Sequence, residues 1–173
     1  MTNLALINPE HLFVQADALL LQLGRGSLRQ ADLRRTLSNA YYGLFHSILT
    51  AAADAAVARA VRGSPLWTLA YRSISHQRLK SVCDAIQRNS LKPAIKRCEP
   101  VGGFGIQVRT IARAVVDLQD RRHAADYDPS LSFVQTDARA APESARSAVD
   151  RLARLPGGQR KAFLYLILFE PRG

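Results

Sequence analysis

The stretch "QVRTIARAVVDLQDRRHAADYDP", residues 107–129, indicates a helical fold. Its apolar residues recur at intervals of three and four, which places them on one face of an α-helix: Val108, Ile111, Val115 and Leu118. The same count continues to Arg122 and Asp126, so this face turns from apolar to ionic. A residue that precedes proline avoids the helical region, and we expect the helix to span about 107–125 and to stop before Pro129.

The remainder of the chain shows the same helical spacing and no alternating, strand-like runs. We therefore predict an all-α antiparallel bundle of about five to six helices in a single domain, residues 1–173. Its core spans about 9–155, and an additional C-terminal helix spans about 159–169. Cap-plus-proline signals predict helix starts at Asn8-Pro9 and Ser64-Pro65. The other expected bounds are a first helix to Gly24, a second at about 28–59, a third to near Arg88, a mostly irregular connection at 88–105 and a fifth helix at about 134–155.

The composition favours a basic protein of the cytoplasm. The formal net charge is +10, and 20 of the 24 basic residues are arginine. Such a surface suits nucleic acid, although a genome-wide arginine bias would produce the same composition. The two cysteines, Cys83 and Cys98, have no histidine at a metal-ligand spacing, so we expect no metal, no cofactor and no disulfide framework. The longest apolar run, 162–169, is too short for a membrane span, and no export signal is recognisable.

The ionic end of the 107–125 helix has two interpretations. A guanidinium on an inward face needs acceptors, and Asp126 lies one turn beyond Arg122, so the two can form a structural clamp. Alternatively Arg122 and Asp126 line a cleft that binds phosphate. His123 and Tyr127 are also one turn apart but are rotated by about 100° from the first pair, so at most the two pairs flank one groove.

The second helix shows a similar division. Its core face carries four apolar residues: Leu33, Leu37, Leu44 and Ile48. A polar stripe lies nearly opposite and consists of Arg35, Asn39, Tyr42 and His46. This stripe is either a solvated face, a second wall of the groove or part of a dimer interface. In the third helix, we expect His76 to lie on a solvated basic face, and Trp67 and Tyr71 to belong to the core.

Two segments together resemble the HEPN superfamily. They are "RRTLSNAYYGLFHSIL" (Arg34–Leu49) and "RRHAADYDP" (Arg121–Pro129), and they are similar to the "YYxxFH" helix and the late "R..ADY" motif of small stand-alone prokaryotic members. The resemblance covers about residues 9–155. It implies an antiparallel helical bundle, usually a homodimer, that is often encoded beside a minimal nucleotidyltransferase as a toxin–antitoxin pair. For many members it also implies a metal-independent ribonuclease.

In that family an arginine and a histidine several residues later carry the chemistry: the histidine exchanges a proton and the arginine stabilises charge on the phosphate. Arg122 matches the arginine and His123 the polar residue after it, whereas Tyr127 occupies the place of the histidine. His123, or His46 from the second helix, could substitute for it. The resemblance therefore predicts an RNA-binding protein or ribonuclease that is toxin-like. Its candidate catalytic residues are Arg122, His123, Asp126 and Tyr127, and its candidate nucleic-acid contacts are Arg121, Arg35, Asn39, Tyr42 and His46. The alternatives are a non-catalytic subunit that pairs with a nucleotidyltransferase, with Tyr127 as a target for nucleotide transfer, or a nucleotide-binding protein.

Overall fold

The computed structural model describes residues 6–21, 29–88 and 91–170. Within these ranges it contains eight α-helices, one short 3-10 turn at Arg59–Val61 and no strand. The α-helices are α1 (Pro9–Leu21), α2 (Gln30–Val57), α3 (Pro65–Arg72), α4 (His76–Gln87), α5 (Pro93–Lys96), α6 (Gly105–Tyr127), α7 (Gln135–Arg154) and α8 (Gly157–Leu168). The all-α prediction is confirmed. The expected break at 24–27 and the expected start of the second helix near Leu28 lie outside the described residues.

Local signals explain where several helices begin. The Asn8 carboxamide oxygen accepts a hydrogen bond from the backbone N–H of Glu10 (3.1 Å), and the Ser64 hydroxyl accepts one from the N–H of Trp67 (3.3 Å). Each cap satisfies an N–H group that the first turn of a helix leaves unpaired. Both predicted helix starts are therefore confirmed, and each has its proline in the first turn.

The prediction of a single third helix is wrong, because the chain forms two helices, α3 and α4, in that region. Residues 73–75 separate α3 from α4. The Ser75 hydroxyl accepts a hydrogen bond from the N–H of Arg78 (3.1 Å) and caps α4, while Ile74, one residue earlier, is buried in the hydrophobic core. A serine cap and a buried apolar residue thus redirect the chain without glycine or proline. The expected irregular connection also contains the short α5.

Helix α2 is the centre of the bundle and packs against α1, α3, α6, α7 and α8. Its first turns contact the end of α6, since Arg34 donates to the carbonyl oxygen of Ala125 (2.7 Å), so these two helices are antiparallel. Helices α6 and α7 are antiparallel as well, because Gln107 near the start of α6 bonds Arg151 and Arg121 near its end pairs with Asp137. The predicted apolar faces are confirmed: the core residues expected on α2 and α6 are all at most 3% exposed. No helix in the described ranges is both long enough and apolar enough to cross a membrane.

Candidate functional site

A group of polar and aromatic side chains lies where α2, α3, α4 and α6 meet. We call it the Arg122 cluster, and it consists of Ser38, Tyr41, Tyr42, His46, Tyr71, His76, Arg122 and Asp126. Helix α2 supplies the first four, α3 supplies Tyr71, α4 begins with His76, and α6 supplies the last two. The ionic end of the α6 face, identified from the sequence, therefore meets the polar stripe of α2.

Arg122 has contacts on two sides. Its Nη2 donates a hydrogen bond to the hydroxyl of Tyr42, and its guanidinium carbon lies 5.0 Å from the centre of the Tyr42 ring. On the other side, the Nε atom is 2.8 Å from Oδ2 of Asp126, but its N–H is not aimed at that oxygen, so Nε has a charge partner without an aligned hydrogen bond. Ser38 holds the same carboxylate by donating its hydroxyl to Oδ1. The arginine is thus partly neutralised and incompletely hydrogen-bonded.

Two imidazoles of the Arg122 cluster are each oriented by a tyrosine. The Nδ1 atom of His76 lies 2.7 Å from the Tyr41 hydroxyl, and Nδ1 of His46 lies 2.6 Å from the Tyr71 hydroxyl. In the described part of the chain, neither histidine has a hydrogen-bond partner for Nε2. A bond at Nδ1 holds the orientation of the ring, and in the tautomer whose Nδ1–H donates to the tyrosine oxygen, Nε2 is free to accept a proton.

Burial keeps both imidazoles neutral near pH 7. It lowers the pKa of His76, and the positive charge of Arg122 lowers it further. Burial also lowers the pKa of His46, with a smaller contribution from His76. By the same cause the pKa values of Tyr41 and Tyr71 are raised, so both phenols keep their protons. A neutral histidine is the form that accepts a proton, which is what a general base must do.

The other sequence-predicted residues lie at varied distances from this cluster. His123 and Tyr127 are exposed on α6 with ring centres 5.0 Å apart, and the Arg122 guanidinium lies 5.4 Å from the Tyr127 ring. Tyr127 therefore adjoins Arg122 on the surface of α6, while the prediction that the two pairs flank one groove stays a prediction. Arg121 forms surface ion pairs with Asp117 (3.0 Å) and Asp137 (3.7 Å).

The predicted polar stripe of α2 divides. Tyr42 and His46 are half-buried within the Arg122 cluster, and Arg35 is exposed. Asn39 departs from the expectation of a surface contact, because the bundle covers it: it is 2% exposed, and its Nδ2 has no hydrogen-bond partner among the described residues. Only Tyr42 and His46 of the predicted stripe therefore belong to the Arg122 cluster.

Sequence reasoning missed four members of the cluster. His76 was expected on a solvated face and Tyr71 in the core, whereas both lie half-buried at the site. Ser38 and the buried Tyr41 had no assigned role. A signal for His76 exists in the sequence, because Ser75 is a favoured capping residue and therefore a candidate helix start just before the histidine.

The donor set of the site indicates acid–base and anion chemistry. No grouping of three or more His, Cys, Asp or Glu side chains that suits a metal ion occurs within the described ranges. An arginine fork matches the oxygens of a phosphate, and neutral imidazoles can move protons at its edge. Comparisons of the chain with family models, curated proteins and solved structures give no match, so the HEPN relationship rests on the sequence resemblance alone.

Proposed function

We propose that this protein binds RNA and cleaves it without a metal ion, with Arg122 at the reacting phosphate. The HEPN resemblance and the net charge of +10 both support this proposal. A strongly positive protein attracts the phosphate backbone of RNA over long distances, and most of the affinity for nucleic acid comes from such contacts. The observation that carries the proposal is the incomplete hydrogen bonding of Arg122.

Other arginines of the same chain provide an internal standard. Arg62 binds Asp54, and Arg146 binds Asp17, each through two aligned hydrogen bonds between guanidinium and carboxylate. Their side chains are 37% and 35% exposed, whereas that of Arg122 is only 15% exposed and has one aligned bond. Burial normally requires more hydrogen bonds, not fewer. The Nη1 group of Arg122, which makes no hydrogen bond among the described residues, is therefore suited to a ligand with oxygen acceptors.

Metal-independent cleavage of RNA is an internal transesterification. The 2′-oxygen loses its proton to a base and forms a bond to phosphorus, the bond from phosphorus to the 5′-oxygen breaks, and that oxygen takes up a proton. The products are a 2′,3′-cyclic phosphate and a 5′-hydroxyl. Negative charge accumulates on the phosphate oxygens during this step, and a preorganised guanidinium stabilises it.

The first test is incubation of the purified protein with single-stranded RNA in EDTA. Wild type is compared with Arg122→Ala and Arg122→Lys after thermal melting has verified that each variant is folded. We expect Arg122→Ala to lose roughly 100-fold or more in cleavage rate, and Arg122→Lys to recover only part because it lacks the fork. An Arg122→Ala variant that melts earlier but binds and cleaves RNA normally would establish the structural clamp instead.

A second variant distinguishes the phosphate-binding role of Arg122 from the structural clamp by the direction in which RNA affinity changes. Asp126→Asn keeps an oxygen for Ser38 but removes the carboxylate that competes with phosphate. If Arg122 binds phosphate, RNA affinity rises roughly twofold to fivefold, the scale of one partly exposed ion pair. The matched control is Asp120→Asn on the same helix, which changes net charge equally but frees only Lys80, a residue outside the candidate site. Equal effects of the two variants would assign the gain to overall charge and refute the phosphate site.

One observation also favours the partner inferred from the resemblance. Tyr127 is 63% exposed and its ring lies 5.4 Å from the Arg122 guanidinium, so its hydroxyl is accessible to a nucleotidyltransferase. We propose a toxin-like homodimer that such a partner silences by transferring a nucleotidyl group from a nucleoside triphosphate to the Tyr127 hydroxyl, with release of pyrophosphate. Co-expression followed by intact-mass measurement tests this idea: an added nucleotide mass that disappears in Tyr127→Phe supports it, and an unchanged mass of wild type refutes it.

A further inference from the structure

His76 lies outside both HEPN-like segments, yet the fold places it beside Arg122. It is the first residue of α4, and its ring stacks on the buried Phe45 of α2 with ring centres 3.9 Å apart. It also meets the Tyr42 ring edge-on, with centres 5.7 Å apart. Tyr42 is the residue that binds Arg122, so one side chain contacts both the guanidinium and the imidazole.

The buried side chain of Tyr41 fixes the orientation of His76. That side chain is 0% exposed, and its hydroxyl lies 2.7 Å from Nδ1 of the imidazole. Since burial raises the pKa of Tyr41, the phenol stays protonated and its oxygen can accept the Nδ1–H. That arrangement leaves the Nε2 lone pair directed away from Tyr41. The hydrogen bond from Nδ1–H to the Tyr41 oxygen persists when Nε2 gains a proton.

The other histidines are less suited to act with Arg122. His46 lies farther along α2, bound to Tyr71, and the charge that lowers its pKa comes from His76 and not from Arg122. His123 is exposed and contacts Tyr127. The ionisable groups that face His76 are thus Tyr41, Tyr42 and His46 from α2 and Arg122 from α6.

We propose that His76 is the general base of the cleavage reaction and that Tyr41 is its positioning residue. This inference rests on the proposed function. The HEPN motif has a histidine as its proton acceptor, Tyr127 occupies the place of that histidine here, and His76 supplies the missing acceptor. Nε2 of His76 removes the proton of the 2′-hydroxyl while the 2′-oxygen bonds to phosphorus. The 5′-oxygen leaves and takes a proton from a water molecule, and His76 afterwards releases its proton to solvent.

The test uses the full chain, EDTA and a single-stranded RNA oligonucleotide of mixed sequence, with binding and cleavage measured separately. We expect His76→Gln to lose roughly 100-fold or more in cleavage rate, the usual contribution of a general base, while its affinity for RNA stays within about twofold of wild type. The matched control is His11→Gln, because His11 is exposed at the start of α1 and remote in sequence from the cluster. It should cleave as wild type does.

Two further measurements separate catalysis from structure. Added imidazole should restore cleavage to His76→Gly, which a purely structural defect would not allow. Tyr41→Phe should move the acidic limb of the pH–rate profile, because Tyr41 binds the imidazole that takes up the proton. If Tyr41 only stabilised the fold, the substitution would leave that limb in place. Normal cleavage by folded His76→Gln would overturn the role of His76 and leave RNA cleavage by the protein intact. A wild type that binds RNA through Arg122 but never cleaves it would overturn both the catalytic part of the proposed function and the role of His76.

Discussion

Gly43 allows α1 and α2 to approach closely, and an alanine at this position should destabilise the protein. It lies in the middle of α2, where a Cβ atom would be 2.5 Å from Cε1 and 2.7 Å from Cζ of Phe13 on α1. The Phe13 ring is 2% exposed, so it cannot move aside into solvent without losing its burial. The guanidinium of Arg146 lies 5.1 Å from the same ring and covers it.

The expected free-energy change is the difference of two terms. Alanine favours a helix over glycine by about 1 kcal/mol, which alone would stabilise the variant. Overpacking of a tight core costs about 1–3 kcal/mol, and contacts this short with a covered ring belong to the upper part of that range. We therefore expect Gly43→Ala to lose about 1–2 kcal/mol of stability, which corresponds to a Tm lower by roughly 2–8 °C for a chain of this length.

Thermal melting and urea unfolding measure this change. The control is a double-mutant cycle with Phe13→Leu, whose smaller and more flexible side chain can accept the new Cβ. The double variant should be more stable than the sum of the two single effects by about 1 kcal/mol. A Gly43→Ala protein that melts higher than wild type, as an ordinary helical glycine would, refutes the close contact between Phe13 and Gly43.

Two further predictions concern stability near the Arg122 cluster. Arg34→Met should lower the free energy of unfolding by about 2–3 kcal/mol in urea titrations, because Arg34 donates to the carbonyls of Ala125, Asp128 and Leu131 at the end of α6; an unchanged midpoint would contradict a structural role. Stability should also fall as the pH drops below about 6.5, because the pKa values of His46 and His76 are lowered in the folded state and protonation then favours the unfolded chain. Two such groups set a ceiling of about 2.7 kcal/mol per pH unit, and a double variant with glutamine at both positions should show a shallower slope.

Local signals explain why most of the fold could be predicted from the sequence. The face of Val108, Ile111, Val115 and Leu118 is buried as expected, because helical periodicity depends only on neighbours along the chain. The same applies to the cap at Ser64, whose hydroxyl bonds a backbone N–H three residues later. Such interactions act within one turn of helix, so a single sequence displays them.

The composition of the site could be predicted only in part, because it depends on which faces meet. The sequence placed Arg122 and Tyr42 each on a definite face, but 80 residues separate them, and their contact arises from the antiparallel packing of α2 and α6. His76 was hidden for a different reason. In a continuous third helix it would be rotated by about 140° from Tyr71, whereas the break at 73–75 allows both side chains to reach α2.

The position of the Arg122 cluster within the bundle is itself an argument for function. Most of the buried core between the helices consists of residues such as Val115 and Leu118, which need no hydrogen-bond partners. One helical turn beyond Leu118, the same face of α6 carries a half-buried arginine, and the facing helices supply tyrosines and neutral histidines. Replacing buried ionic groups with apolar side chains of similar volume is often neutral or stabilising. Stability alone does not call for this arrangement, and the proposed function uses it to hold a phosphate beside a proton acceptor.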